Sequence, residues 1–321
     1  MSYLLYQLRF NTAVHFGGSD SALSLYHSED RFRADTLFSA LCHTALQMEG
    51  ETGLNRLLTM GQCGKLLLSD AMPWAGDTYY LPKPCFQAQT NRELPAEHRK
   101  TLKKLAWIPV ERFEEYCTAM QTGELYLGSE EPVGVNIELT KARMDLEKDA
   151  LPYPVGLYQF KDNCGLYVLV HLADDSDRLW MRELMTVLGI SGIGGKVTAG
   201  YGKFTVANEI SLSESDDAQA CWLFAALTAT QGKQMLLTTA LPQEEELEAA
   251  LQGASYQLVR RAGFVASNSY ADTAYKKQTQ YYLGSGAVLN CRFNGDIYAV
   301  GNRGAHPVYR YGKPMFLGVN L

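Results

Sequence analysis

The stretch Leu188–Phe204 reads L-G-I-S-G-I-G-G-K-V-T-A-G-Y-G-K-F and joins a predicted helix, Asp177–Leu188, to a predicted strand, Lys203–Ile210. Six of its residues are glycines. Glycine loses more backbone entropy on folding than any other residue, so such a cluster requires a reason. Without Cβ atoms the chain can turn left-handed, and its N–H groups can form a concavity suited to phosphate. The stretch therefore predicts a helix-to-strand connection that binds a phosphate group.

This glycine loop does not match the common nucleotide-binding templates. A Walker A loop needs glycine where this chain has Ile190, and Ser or Thr where it has Val197. A dinucleotide fingerprint needs glycine at the position of Val197. Lys196 and Tyr201 among the glycines favour single-stranded RNA, because aromatic rings stack on bases while cations pair with phosphates. The alternative interpretation is a surface loop without a ligand, since glycine alone marks turns.

The composition is that of a globular protein, and the length is sufficient for two domains. The chain has 321 residues, of which 46% are hydrophobic and 20% are charged. The sequence contains no signal-peptide pattern and no run of 18 apolar residues. Its seven cysteines include no C-x-x-C pair, which favours reduced thiols and a cytoplasmic location. The histidines lack metal-ligand spacing, so we expect neither a metal nor a cofactor.

The charges are unevenly distributed. The net charge of −6 is unusual for a free-standing nucleic-acid binder. However, residues 209–250 hold eight acids and one base, whereas residues 252–321 hold eight bases and two acids. This pattern is compatible with an acidic face for a protein partner and a basic face for RNA; the alternative is simple solvation of both faces.

The order of predicted elements is that of a ferredoxin-like unit. An alternating strand (Tyr3–Val14) precedes a helix that begins at an N-cap, Asp35, and ends near Gly50; a strand at Lys65–Ser69 follows. A central strand, Gly165–Ala173, then precedes the helix and strand around the glycine loop. We predict an α+β fold with an N-terminal ferredoxin-like domain at 1–210, an insertion at about 86–135 and a C-terminal ferredoxin-like domain at 211–321.

Five motifs, in this order, resemble those of a known family. They are Arg33–Cys42 (R-A-D-T-L-F-S-A-L-C), Leu81–Pro84 (L-P-K-P), the G-I-G-G-K and G-Y-G elements of the glycine loop, Arg261–Val265 (R-A-G-F-V) and His306–Gly312 (H-P-V-Y-R-Y-G). Together they resemble the CRISPR RAMP superfamily and, within it, the Csm subunit that caps the crRNA 5′ end in type III-A effector complexes. The resemblance spans essentially the full chain. One departure is Ala262, where the family pattern has glycine.

The resemblance implies two ferredoxin-like (RRM-like) domains and a ribonucleoprotein role in antiviral defence. It further implies that the glycine loop holds the repeat-derived 5′ tag of the crRNA and that the chain has no catalytic activity of its own. The implied partners are the large polymerase/cyclase subunit and a backbone RAMP subunit, with no membrane involved. It also implies that the strand end at 141–143 extends as a thumb-like element against the guide RNA.

The candidate RNA-binding residues combine glycines, cations and one aromatic ring. Arg31 and Arg33 precede a helix start, where positive charge opposes the helix dipole and an anionic partner is favoured. Arg261 follows a basic neighbour, and a guanidinium fork suits phosphate. For several of these, solvation or core packing is the alternative. The full predicted set is Gly17, Gly18, Arg31, Arg33, Lys141, Arg143, Gly192, Gly194, Gly195, Lys196, Thr198, Gly200, Tyr201, Arg260, Arg261, Lys276, Lys277, His306 and Arg310.

A rival function is metal-independent cleavage of crRNA, since some RAMP relatives cleave RNA with a histidine. His15, after the first strand and next to the Gly17–Gly18 turn, is the candidate. A lone histidine is more often structural. No second histidine, Tyr or Lys lies at a spacing that indicates acid–base catalysis.

Overall fold

The structure is a computed structural model that describes residues 2–18, 24–86, 100, 102–124, 126–128, 131–145, 148–267, 269–301 and 303–321; the side chains at 143–145 and 148–150 are not included. The helices are α1 (Ala34–Gln62), α2 (Phe113–Thr122), α3 (Arg178–Ser191), α4 (Ala218–Thr228) and α5 (Leu247–Leu251). The strands are β1 (Ser2–Phe10), β2 (Leu66–Leu68), β3 (Met72–Ala75), β4 (Thr78–Pro82), β5 (Trp107–Pro109), β6 (Gly134–Asp145), β7 (Lys148–Phe160), β8 (Cys164–Leu172), β9 (Phe204–Ser211), β10 (Lys233–Leu236), β11 (Leu258–Arg261), β12 (Gln280–Leu283), β13 (Val288–Leu289), β14 (Ile297–Gly301), β15 (Val308–Tyr311) and β16 (Phe316–Val319).

The N-terminal sheet has the strand order predicted from the sequence. β1 lies between β8 and β9 and is antiparallel to both, while β2 pairs with β8 on its far side. The order β2–β8–β1–β9, with α1 and α3 as the crossover helices, is that of a ferredoxin-like unit. From β8 the sheet continues through β3, β4 and β5. The α+β class is therefore confirmed, with antiparallel sheets throughout the described residues.

β1 is buried on both faces. Its alternation places Leu4 and Leu8 in the apolar cluster that α1 and α3 cover, and Leu5 in a second cluster on the opposite face. That second cluster also contains Leu237 and Leu317 from the C-terminal half. The two halves of the chain consequently share one apolar core, which fixes their relative position.

The start of α1 differs from the prediction. The predicted N-cap, Asp35, lies inside the first turn, and the N-cap position is Arg33, which makes no side-chain capping bond. Instead, the Ala34 N–H donates to the Asp70 carboxylate at 2.9 Å. A carboxylate from a distant segment therefore satisfies this helix end, and the Asp35 side chain is available for another partner. At Gly50 the helix breaks as predicted, with φ 65° and ψ −149°, but resumes to Gln62.

β6 and β7 form a long antiparallel ribbon, paired from Gly134 with Phe160 to Asp145 with Lys148. The alternation in the sequence predicts strands at Asn136–Arg143 and Gly156–Lys161. The first falls within this ribbon, and the second overlaps it as far as Phe160. A bridge between Val14 and Tyr158 attaches its base to the chain that follows β1. The ribbon consequently begins next to the glycine loop.

The C-terminal half consists of small antiparallel sheets. β10 lies between β13 and β16, and two hairpins, β11–β12 and β14–β15, complete it. Helix α4 was not predicted, although the Asp217 carboxylate caps it by accepting from the Ala220 N–H at 2.9 Å. Within the predicted insertion, α2 matches a short helix that the sequence predicts near residues 111–120. A basic patch is predicted at Arg99, Lys100, Lys103 and Lys104, of which Arg99 lies outside the described residues.

Candidate nucleic-acid interface

A groove of about 620 Å³ lies between the N-terminal half of α1, the segment after β1, the glycine loop and the C-terminal strands β11 and β15. This volume falls within the range of about 300–1,000 Å³ for sites that enclose a small ligand. It suits one or two nucleotides of a single strand better than a duplex. The groove brings together these predicted residues: Gly17, Arg31, Arg33, Gly192, Gly194, Gly195, Arg261, Lys277 and Arg310.

The glycine loop is held closely against the end of β1. Gly202 has φ 75°, and a Cβ there would lie 2.1 Å from the Ile193 carbonyl oxygen. Gly194 has φ 101°, and its Cβ would lie 2.7 Å from the His15 carbonyl oxygen. Both positions combine a left-handed backbone with a close backbone approach, so both require glycine. The loop is a built element of the fold, not a loose surface turn.

Several loop amides are already engaged within the chain. The Ile193 N–H donates to the Gly202 carbonyl at 3.0 Å, and the Gly195 N–H donates to the His15 carbonyl at 2.8 Å. Among the described residues, the N–H groups of Gly194 and Lys196 have no acceptor. The Ile193 and Gly195 amides fasten the loop to the strand end and are therefore not available to a ligand, whereas the Gly194 and Lys196 amides are.

Two lysines connect the glycine loop to the β6–β7 ribbon. The Lys141 Nζ lies 4.3 Å from the ring centroid of Tyr201, and the Lys196 Nζ lies 5.4 Å from that of Tyr153. In the ribbon, Lys141 pairs with Tyr153. Each of the two contacts therefore joins a side chain of the ribbon to a side chain of the glycine loop. Both predicted lysines lie beside aromatic rings and outside the groove.

Tyr201 packs partly against the apolar cluster of Ala13, Val155 and Leu157. The ring is half-buried, which fits core packing, and its stacking on a base stays a prediction. Thr198 is exposed in the short 3₁₀ turn that follows Lys196, and Gly200 ends that turn with φ 89°.

Arg31 and Arg33 enter the groove from the segment before α1. The Arg33 guanidinium is 3.3 Å from Glu29 and 4.0 Å from Asp70, so its charge is compensated. The Arg31 guanidinium stacks at 4.5 Å over Trp107, a residue of the predicted insertion. The buried Nε atoms of both arginines have no hydrogen-bond partner among the described residues, but only Arg33 has a carboxylate within 4.0 Å there. Arg31 therefore offers more to an external anion than Arg33 does.

The C-terminal wall of the groove is held by Asp35. Its carboxylate accepts from Arg261 at 2.8 and 2.9 Å and lies 3.9 Å from the Arg310 guanidinium. Burial opposes ionisation of Asp35, but the Arg261 charge and hydrogen bonds outweigh it and hold the pKa below its usual value. Sequence reasoning missed this role, because the Asp35 position matched a helix cap.

Arg310 is 4% exposed, and its guanidinium donates to the carbonyls of Arg261, Ala262 and Gln278 at 2.9–3.2 Å. These bonds fix the backbone that forms the wall. Lys277 lies beside it, where burial and then the Arg310 charge lower the pKa of its ammonium group. Arg261 and Arg310 thus position the groove, whereas Lys277 adds positive charge within it.

The remaining predicted residues lie outside the groove. Gly18 faces the Glu29 carboxylate, and Lys276 lies 5.7 Å from the Phe264 ring. Arg260 is exposed on β11. The Nε2 atom of His306 lies at hydrogen-bond distance, 2.8 Å, from the Ser267 hydroxyl. Arg143 belongs to β6, but its side chain lies outside the described residues.

His15 is 7% exposed, and its Nδ1–H donates to the Gly156 carbonyl at 2.7 Å. A Cβ at Gly195 would lie 2.7 Å from the ring. The histidine therefore packs under the glycine loop and fastens it to the ribbon. The part of the chain that the structure covers contains no cluster of three or more His, Cys, Asp or Glu side chains able to hold a metal ion. No helix within the same part is long and apolar enough to cross a membrane.

A polar face of α1 also lines the groove and was not predicted. It carries Ser39, His43 and Gln47, spaced four residues apart. The signal was present, since uncharged polar residues recur at this helical spacing next to the apolar Leu37 and Leu41 face.

Comparisons with known proteins agree on one family. A family model described as the CRISPR Csm4 C-terminal domain matches residues 229–319. The chain is 35% identical to the CRISPR system protein Csm4 of Mycobacterium tuberculosis strain H37Rv, over 99% of this chain and 98% of the relative. It is 33% identical to Csm4 of Streptococcus thermophilus, over 100% of both.

Solved structures have the same fold. One is a Csm3–Csm4 subcomplex of a type III-A CRISPR-Cas interference complex, with a TM-score of 0.62, 15% identity and 100% coverage of both chains. Another is a Csm1–Csm4 cassette bound to cA4, with a TM-score of 0.62 and 19% identity over 100% of this chain and 99% of that one.

Proposed function

Because this chain belongs to the Csm4 family of CRISPR proteins, we propose that it holds the repeat-derived 5′ tag of the crRNA in a type III-A effector complex. The groove is the observation that carries this proposal. It combines the free amide of Gly194 with the cations Arg31 and Lys277, and the free amide of Lys196 lies between two lining residues, Gly195 and Val197. N–H groups and cations of this kind recognise phosphates without reference to sequence.

The RNA path extends from the groove toward the β6–β7 ribbon. Lys196, Lys141 and Tyr201 lie on this side of the glycine loop, where they supply charge and a ring for stacking. Since the formal charge of the chain is −6, binding depends on this local arrangement and not on overall attraction. We expect the affinity to fall steeply with salt.

We further propose that the chain bridges the large polymerase/cyclase subunit and a backbone RAMP subunit. Two solved relatives support this, since one is a Csm1–Csm4 cassette and the other a Csm3–Csm4 subcomplex. The acidic segment 209–250 offers one surface for a protein partner. The seven cysteines of the chain are free thiols, which fits a reducing cytoplasm, where we place the complex.

The chain is proposed to be non-catalytic. The histidine of the rival endoribonuclease, His15, is buried, and its ring is hydrogen-bonded to the Gly156 carbonyl. A general base must reach the proton that it abstracts, and this ring instead packs beneath the loop. Incubating the purified protein with repeat RNA without metal separates the two functions. Cleavage that is lost in His15→Ala would support the nuclease, whereas binding without cleavage supports the structural subunit.

The decisive experiment is ultraviolet crosslinking within the assembled particle. The tagged chain is purified from cells, and the crosslinked RNA and the bound proteins are identified. We expect the repeat-derived 5′ end of the guide on peptides from the glycine loop, together with the two partner subunits. Crosslinks confined to the spacer or the 3′ end would overturn the tag assignment.

A further inference from the structure

The polar face of α1 presents three unused hydrogen-bonding groups to the groove. Ser39, His43 and Gln47 lie on successive turns and line the cavity. Within the described residues, none of the three side chains has a hydrogen-bond partner. They are also partly or fully exposed, so a ligand in the groove can reach them.

The chemistry of this face differs from that of the cations in the same groove. Arg31 and Lys277 carry positive charge, which suits phosphate, whereas a hydroxyl, an imidazole and a carboxamide each donate and accept hydrogen bonds. Base edges require such mixed donors and acceptors, while phosphate oxygens only accept. Partial desolvation and then the charges of Lys277 and His306 lower the pKa of His43, which favours its neutral ring, with one donor and one acceptor.

We propose that Ser39, His43 and Gln47 read the base edges of the nucleotides whose phosphates lie against the glycine loop. The inference rests on the proposed function and extends it from backbone binding to sequence preference. Unstacked bases of a single strand expose their Watson–Crick and Hoogsteen edges to side chains of this kind. The groove thereby selects the base that enters it, in addition to holding the strand.

The test uses the full chain and four homopolymeric RNAs of about 10 nucleotides, which is within the usual site sizes of single-strand binders. Affinities are measured at low salt for the wild type and for the triple change Ser39→Ala, His43→Ala and Gln47→Ala. Alanine is the best helix former, so α1 is expected to persist, and thermal unfolding checks this. Asn55→Ala, an exposed amide on α1 beyond the Gly50 break, is the matched control.

The wild type is expected to prefer one homopolymer over the weakest by about tenfold or more. The triple variant should bind all four within about threefold while its salt dependence stays unchanged, and Asn55→Ala should behave as the wild type. A wild type without preference, or a preference that survives in the triple variant because it arises from stacking, overturns the inference. Either result leaves tag binding itself to be decided by crosslinking within the particle, so the two failures are distinguishable.

Discussion

The Arg261 guanidinium and the Asp35 carboxylate form a bidentate ion pair, with N–O distances of 2.8 and 2.9 Å, although 226 residues separate them in sequence. Asp35 belongs to α1 of the N-terminal half, and Arg261 ends β11 of the C-terminal half. Both side chains are largely buried, at 9% and 13% exposed. A planar guanidinium fork fixes direction as well as distance. The pair therefore sets the width of the groove between the two halves.

Removing this carboxylate is expected to destabilise the protein strongly. Asp35→Ala leaves the Arg261 charge buried without its partner and the Arg310 guanidinium without its nearby carboxylate. Losing one member of a buried pair costs about 3–5 kcal/mol of unfolding free energy. Urea denaturation measures it. As a control, Glu115→Ala removes the exposed Arg112–Glu115 pair and should change the value by less than about 1 kcal/mol. Equal effects of the two changes would contradict the assignment.

Acid stability is expected to depend on Glu209. Burial alone would raise its pKa, but hydrogen bonds from Arg182 and Arg178 outweigh this and hold the pKa below its usual value. A lowered folded-state pKa stabilises the protein fully above the unfolded value of about 4.3. The contribution is lost as the pH falls through the lower folded-state value.

Glu209→Gln should therefore flatten the fall of unfolding free energy between pH values near neutral and about 3. Denaturation midpoints across this range measure the effect. Glu183→Gln is the matched control, since Glu183 is exposed on α3 and makes no ion pair among the described residues. If the unfolding free energy fell equally with decreasing pH in the wild type and in Glu209→Gln, the prediction would be refuted.

Local patterns in the sequence were sufficient to predict the sheet. The alternation of Leu4, Tyr6 and Leu8 predicts the first strand, and the helix–glycine–strand order at residues 177–210 predicts the second crossover. Helix α4 was missed because the predicted domain boundary falls in the acidic segment just before it, although Asp217 in that segment is a helix cap. The prediction of a domain boundary at 210 stays a prediction.

The site was predictable only where it is local. The local glycine content predicts the glycine loop, whereas the partners of Asp35 depend on tertiary packing. Asp35 matched an N-cap because local reasoning assumes that a helix is capped by its own neighbour, yet Asp70 accepts from the first amide. Likewise, nothing in the neighbourhood of Arg310 indicates that three backbone carbonyls would engage its guanidinium.

Two glycines of the loop provide a matched pair for testing its geometry. Gly200 and Gly202 both have positive φ, but a Cβ at Gly200 meets nothing within 4 Å, whereas one at Gly202 lies 2.1 Å from the Ile193 carbonyl oxygen. Gly200→Ala should cost only the left-handed penalty of about 1–2 kcal/mol. Gly202→Ala should cost more and also weaken RNA binding, because the loop must open. Unfolding free energies measure the difference, and equal losses would show that the close approach does not constrain the loop.

Lys196 is expected to contribute one phosphate contact. Neutralising one phosphate on a single strand adds about 0.7 to the slope of log affinity against log salt. Lys196→Ala should reduce the slope by about that amount for every RNA sequence tested. Lys65 follows the C-terminal end of α1 and lies outside the groove, so Lys65→Ala should leave the slope unchanged. Titrations at several salt concentrations measure the slope, and an unchanged value in Lys196→Ala would remove this lysine from the interface.

Substitutions of Tyr201 can distinguish base stacking from core packing as the role of its ring. It is half-buried against Ala13 and Val155, and Lys141 lies over it at 4.3 Å. Tyr201→Phe keeps the ring, so we expect both stability and RNA affinity to stay near wild type. Tyr201→Ala should reduce RNA binding by about 1–3 kcal/mol, the usual contribution of one stacked base. Binding titrations and thermal unfolding are measured together on both variants. A Tyr201→Ala variant that loses stability but retains full RNA affinity would assign the ring to the core, because a stacking platform cannot be removed without loss of binding.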